Sequence, residues 1–362
     1  GQEGGGDHEQ EGARDGDAEN LSSRAKRGDP VLLPPLQSAT GTPVITLAQL
    51  ARFLRRPVGA FFRERLQVHL EDERSELHDE ELFGLGGLDL HQLLDHELQQ
   101  VPADLSQGDV PAHVRRVVRH LRLAGALPLA GVGTLEAQNL THILQTQLSA
   151  ALREREACPD AAERVLVDVA HPPSNPMVHL QDALGGVMTG EGGAMVLGLR
   201  ASQLAHLKSK TPQADPEKLI DIWLLSLASA AMDQPLRCVV VGRNAVVRVP
   251  PQDPDAARAQ LQVLLDTWVE GMRWPLPLPP GVALQWLKDK DNANALADAY
   301  EGNEFKRAEK GKDPALARTY PSIEALLATG EFERLAEAVY APLKAWAAAA
   351  QVEALPGAEP EE

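Results

Sequence analysis

The chain is short of the residues that usually announce chemistry. Its 362 residues contain two cysteines, Cys158 and Cys238, far apart and without metal-ligand spacing. This argues against a zinc site and reads as reduced thiols in a cytoplasmic protein. No run of about 18 apolar residues is present, so no helix is expected to span a membrane. No charged-then-apolar signal segment opens the chain. It also lacks an initiator Met, which reads as a fragment or a processed chain. Basic residues are outnumbered, 35 Lys and Arg against 52 Asp and Glu, for a net charge of −17. Taken alone, that argues against a simple nucleic-acid binder.

The mean hides a segregated pattern. Residues 71–109 hold twelve acids against Arg74 alone. Immediately before them stand Arg52, Arg55, Arg56, Arg63 and Arg65, with only Glu64 opposed; immediately after stand Arg115, Arg116, Arg119 and Arg122. Arg52, Arg55 and Arg56 are spaced to share a helix face, and Arg115, Arg119 and Arg122 to share another. Each cluster is either a solvated face paired with the acidic stretch or a phosphate-contacting surface, which needs only clustered guanidinium groups.

Residues 1–43 are rich in Gly, Asp, Glu and Pro and read as a flexible linker; residues 351–362 read as a disordered tail. Between them, 44–350 reads as one α/β domain. Thr46 is the expected N-cap of a first helix carrying Leu47, Leu50, Phe53 and Leu54. Pro57 breaks that helix and opens a second, with Val58, Phe61, Phe62 and Leu66 on one side. Helices are expected at 88–99, 111–123 and 134–156. The period then changes: ERVLVDVAH, MVHLQDALGGVM and AMVLGLRAS read as strands. PEKLIDIWLLSLASAAM reads as a helix and LRCVVVGRNAVVRV as a hairpin turning at 242–244. Helices are then expected at 254–272, 281–289, 292–301 and 331–350. The Trp- and Pro-rich run TWVEGMRWPLPLPPGVALQWL reads mostly as core, with part of it available for partner docking.

Few motifs carry chemistry. GGVMTGEGGAM lacks the Lys-Ser/Thr of a phosphate loop and the dinucleotide-binding glycine spacing, and a turn between strands is the plainer reading. Glu304-Phe305-Lys306 has the acid-x-lysine form of a metal nuclease but falls at a helix end, not on a rigid strand. Asp168 and Asp182 fall on strands without a lysine two residues on. His69, His171 and His179 show no paired metal-ligand spacing, and no serine elbow or Cys/His nucleophile pair stands out.

Several blocks resemble the C-terminal domain of the RecC family, the gamma subunit of exodeoxyribonuclease V (RecBCD). RFLRRPVGAFFRERLQV is similar to its opening and LRLAGALPLAGVG to an internal block. EKLIDIWLLSLA is similar to its helix after the sheet, and VEGMRWPLPLPPGVALQWL and ADAYEGNEF to its closing blocks. The resemblance runs from about residue 45 to 350. It implies a PD-(D/E)xK restriction-endonuclease-like core, a mixed sheet flanked by helices with helical elaborations at both ends, that is catalytically inactive. It also implies RecB-like helicase–nuclease and RecD-like helicase partners, and contact with duplex ends and forked or single-stranded DNA. In active relatives one strand of the central hairpin ends in an acid and the next carries Asp-x-Lys. Aligned through the neighbouring blocks, those positions are Gly185 and Gly198-Leu199-Arg200 here. With no carboxylates there, no oxygen cage for Mg²⁺ is expected and no cofactor is implied. An arginine in place of lysine stays cationic and cannot transfer protons near neutral pH, leaving Arg200 as a candidate phosphate contact. The competing expectation is a divergent metal-dependent nuclease using Asp168, Asp182 or Glu304 with Lys306.

Overall fold

A computed structural model describes residues 41–70, 87–127, 130–207, 211–303 and 308–357, the side chains of 87–90 and 130 excepted. The sequence sets the entry to the fold. Strand β1 (Val44–Ile45) leads into helix α1 (Leu47–Arg55) through Thr46. Thr46 Oγ1 accepts from the Gln49 amide and Gln49 Oε1 accepts from the Thr46 amide, a reciprocal cap. Pro57 opens the short helix α2 (Pro57–Ala60). It continues as a π-helical turn over Phe61–Arg65, in which the Leu66 amide reaches back to the Phe61 carbonyl. The wider turn rotates the side chains off the expected face, so Leu66 is 41% exposed while Val58 and Phe61 are buried.

Helices α3 (Gly87–Gln99), α4 (Val110–Leu123) and α5 (Ala130–Glu156) form a lobe with its own core. Leu94, Leu98, Val114, Val117, Leu121, Leu140, Leu144 and Leu148 fill it. Then come β2 (Asp160–Ala161), β3 (Val165–His171), β4 (Val178–Leu184), β5 (Val187–Gly190) and β6 (Gly193–Leu199). The run 177–188, expected as one strand, is two. It breaks at Gly185-Gly186, where Gly186 takes φ +70°, and its halves join different sheets. One sheet is three-stranded in the order β1-β4-β3; the other is six-stranded. At the tip of the β5–β6 hairpin, a Cβ on Gly190 would lie 2.4 Å from the Ala157 carbonyl, so backbone packs directly on backbone there.

The short pair β7 (Ala205–His206) and β8 (Gln213–Ala214) precedes helix α6 (Ile220–Ala231), which crosses over to β9 (Arg237–Val241). Strand β9 runs parallel to β6 and pairs on its other side with β10 (Ala245–Val249) in a hairpin turning at 242–244, as expected. The apolar run from Cys238 to Val241 in β9 follows from burial on both faces. Cys238 and Val240 point into the main core, Val239 and Val241 into a smaller core that includes Ala150 and Ala151 of α5. Both cysteines are buried and free, and burial pushes the Cys238 thiol up to about 12.

The remaining helices are α7 (Pro254–Gly271), α8 (Pro280–Lys288), α9 (Ala293–Glu301), α10 (Pro314–Thr319), α11 (Ile323–Leu327), α12 (Glu331–Leu335) and α13 (Ala341–Ala348). The proline-rich run is core, with Trp268, Trp274, Leu276, Leu278 and Val282 buried. The expected helix over 331–350 is interrupted by a π turn at Ala336–Tyr340. The chain then forms β11 (Gln351–Ala354), which pairs antiparallel with β10 at the edge of the six-stranded sheet, β11-β10-β9-β6-β5-β2. This corrects the expected disordered tail. Residues 351–354 are strand, Arg248 bonds Glu353 at 2.7 Å, and Leu355 is buried. The linker boundary also moves inward, because Thr42 Oγ1 donates to the Pro176 carbonyl and the His179 amide to the Pro43 carbonyl. Residues 1–40 and 358–362 lie outside the described residues. Among the described residues, no helix is long and apolar enough to cross a membrane.

Candidate functional site at the end of the central hairpin

Strand β6 ends against a cleft of about 490 Å³ walled by α1, α2, α3, α6, α8 and the 309–316 segment. The residues singled out in the sequence converge here in part. Gly198 pairs with Val240 of β9. A Cβ on it would meet Ile222 at 3.5 Å and Arg200 Nη1 at 3.9 Å, ordinary contact distances. Gly185 lies past the last β5–β6 pair, Val187 with Val196, and its nearest neighbour is Arg164.

Arg200, the candidate phosphate contact, is paired within the chain. Its Nη2 donates to Asp221 Oδ2 at 2.5 Å and its Nη1 to the Leu199 carbonyl at 3.0 Å. Asp221 stands in the first turn of α6, where a carboxylate also meets the positive helix end. Its other oxygen lies 3.2 Å from Arg55 Nη2, off the line of a hydrogen bond, so that contact is electrostatic. One carboxylate therefore joins α1, the end of β6 and α6 through two guanidinium groups. Each side chain is about one-third exposed, placing the cluster between screened surface pairs and a buried triad.

The other acids of the cleft are similarly engaged. Asp95 accepts from the Ala201 amide at 2.8 Å and faces His91 at 3.4 Å. Asp313 accepts from the amides of Gly59 and Ala315, joining α2 to the start of α10. Glu309 is buried, which pushes its carboxyl above the usual range, and Lys312 sits 3.0 Å away. Glu217 lies 3.8 Å from the same lysine. Two lining cations, Arg56 and Lys218, have no carboxylate within 4.0 Å among the described residues. Among those residues, no three His, Cys, Asp or Glu side chains cluster as a metal site requires.

The alternative acids are not brought together. In the β3–β4 ladder, Asp168 pairs with Gln181 and Asp182 with Val167, so the two aspartates face opposite sides of the sheet. Asp168 accepts from Gln181 on the exposed side. Asp182 accepts from the Leu47 amide at 3.0 Å and serves the N-terminus of α1. Glu304 and Lys306 lie outside the described residues.

The two arginine clusters also separate. Arg52 is 4.0 Å from Glu64, Arg63 bonds the same Glu64 at 3.0 Å, and Arg55 is held by Asp221. Arg65 is engaged as well. Arg56 terminates α1 with φ −147°, so it does not continue the expected face. On α4, by contrast, Arg115, Arg116, Arg119 and Arg122 are all exposed. None has a carboxylate within 4.0 Å among the described residues; the helix's acid contact is His120 with Glu97. Sequence reasoning missed Asp221, Asp95 and Gln147. Gln147 is fully buried on α5 and donates to the Arg200 and Val241 carbonyls at 2.8 and 2.9 Å. Its signal was a polar residue inside the apolar stripe of Leu140, Leu144, Leu148 and Ala151.

Comparison with known proteins bears on the same region. The model of the family described as the RecC C-terminal domain matches residues 42–291. The RecBCD enzyme subunit RecC of Escherichia coli (strain K12) is 27% identical over 296 residues, 73% of this chain and 22% of that protein. The chain thus spans about a fifth of that relative's length. The family match runs from the entry to β1 through α8, taking in the α3–α5 lobe, the three-stranded sheet, the six-stranded sheet except β11, and most of the cleft; this chain belongs to the RecC C-terminal domain family.

Proposed function

We propose that this chain is the non-catalytic, nuclease-like domain of a RecC-type subunit. It works in the cytoplasm within a RecBCD-type helicase–exonuclease, in double-strand break repair and homologous recombination. Its core, on this reading, is a PD-(D/E)xK restriction-endonuclease-like fold spanning about residues 44–350, extended by β11. It binds RecB-like and RecD-like subunits and DNA ends or forks, and cuts nothing itself. The observation that carries the reading is the Arg55–Asp221–Arg200 cluster. The end of β6 offers Gly198 and a neutralised guanidinium where a nuclease of this type places metal-binding carboxylates and a lysine. Hard divalent cations need several oxygen ligands at once, and the carboxylates lining this cleft are occupied by cations or backbone amides. The opposed facing of Asp168 and Asp182 further supports it.

The test is cleavage of linear duplex and single-stranded DNA by the purified chain with Mg²⁺ or Mn²⁺. No cleavage above a protein-free blank is expected. Metal-dependent cleavage lost in Asp168→Ala, Asp182→Ala or Glu304→Ala would establish a divergent nuclease instead. Co-purification with RecB-like and RecD-like subunits, retained with this domain and lost without it, tests the assembly.

A further inference from the structure

The exposed face of α4 gathers four arginines on one helix, none with a carboxylate within 4.0 Å among the described residues. On a helix advancing about 100° per residue, Arg115, Arg119 and Arg122 fall within about 60° of one another and Arg116 about 100° from Arg115. The opposite side of the same helix is its packing stripe, with Val110, Val114, Val117, Val118 and Leu121 buried. The arginines are therefore carried on a helix fixed by its own core, and their positions do not depend on a loop. From Arg115 to Arg122 the face is about 10 Å long at about 1.5 Å per residue. Along a duplex axis that length spans about three phosphates of one strand, at about 3.4 Å of axis each.

We infer that this face of α4 is a contact surface for the sugar–phosphate backbone of nucleic acid, made without reading bases. The inference rests on the proposed role as a DNA-handling domain and assigns that role to one surface. Four guanidinium groups are the donor set suited to phosphate oxygens. The acidic remainder makes the face selective: a chain of net charge −17 repels a polyanion over most of its surface, so a local cationic stripe fixes the direction of approach. The arginines of α1 and the following π turn serve chiefly as internal struts, given the pairs of Arg52, Arg55 and Arg63.

The experiment measures affinity of the full chain for forked DNA across a salt series, with Arg115→Glu/Arg119→Glu and the milder Arg115→Gln/Arg119→Gln. Both substitutions lie on the solvent face, and thermal melting checks that each variant folds. The charge-reversed pair should weaken binding about tenfold or more. The neutralised pair should flatten the salt dependence by about 1.8 in log–log slope, from about 0.9 per lost phosphate contact. Loss should be equal for unrelated DNA sequences. If both folded variants bind DNA with the affinity and slope of the parent, the inference fails. It also fails if DNA binding survives while co-purification with the partner subunits is lost, since the face would then be a protein interface. Metal-dependent cleavage, in contrast, would overturn the non-catalytic reading and leave this surface standing.

Discussion

At the residue scale, side chains that look like chemistry in the sequence turn out to hold the fold together. Asp182 occupies a strand position where a metal ligand was conceivable, yet it accepts the first amide of α1. Asp182→Ala should cost about 1 kcal/mol of stability, in the range of a lost helix cap, read as a lower urea midpoint. Asp221 is the opposite case, invisible in the sequence because its two partners lie 21 and 166 positions away. Asp221→Ala leaves two guanidinium groups facing each other and should destabilise the chain by about 1–3 kcal/mol, between exposed and buried pairs. His113 gives a pH signature. Burial, reinforced by Arg116 and opposed by Glu97, holds it below its ordinary 6.5, and neither ring nitrogen has a hydrogen-bond partner among the described residues. The unfolded chain therefore binds a proton below 6.5 that the folded chain resists. This contribution to stability is lost as pH falls through that window and regained as it rises. His113→Leu should flatten the difference between urea midpoints at about pH 7.5 and about pH 5.5.

At the element scale, the local signals were legible where they are local. Thr46 as a cap, Pro57 as a break and the 242–244 turn each follow from one or two residues, and the structure has all three. The failures are elements whose fate is decided by distant partners. Gln351–Ala354 has no strand signal of its own; β10 makes it a strand by offering an unpaired edge. The π turn at Phe61–Arg65 changes which side chains face inward without any proline or glycine to announce it. Ending the chain after Ala350 should therefore do more than trim a tail. It removes the four residue pairs between β10 and β11 and uncovers the edge of β10. The truncated chain should melt at lower temperature and aggregate on heating, seen by light scattering.

At the scale of the whole molecule, the domain has a large core beneath the sheets and a separate helical one in the α3–α5 lobe. The sequence suggested the helices but not this division, because heptad-like spacing marks an apolar face without naming what covers it. The lobe is fastened at the end of β6, where Gln147 binds the Arg200 and Val241 carbonyls and Asp95 binds the Ala201 amide. Gln147→Leu takes its donor from the Arg200 carbonyl, while the Val241 carbonyl keeps the Arg200 amide at 3.0 Å, a cost of about 1–3 kcal/mol. Hydrogen exchange should show the loss first in α4 and α5, with β9 and β10 still protected.

The surroundings of Gly198, which would meet an added Cβ at ordinary contact distances, bear on the proposed reading. A carboxylate introduced there has room at its Cβ, but the first charge it meets is the Arg200 guanidinium. Lys in place of Arg200 would free Asp221 from one guanidinium and leave Arg55 still beside it. On the non-catalytic reading proposed above, a metal-binding arrangement at this strand end takes more than one substitution.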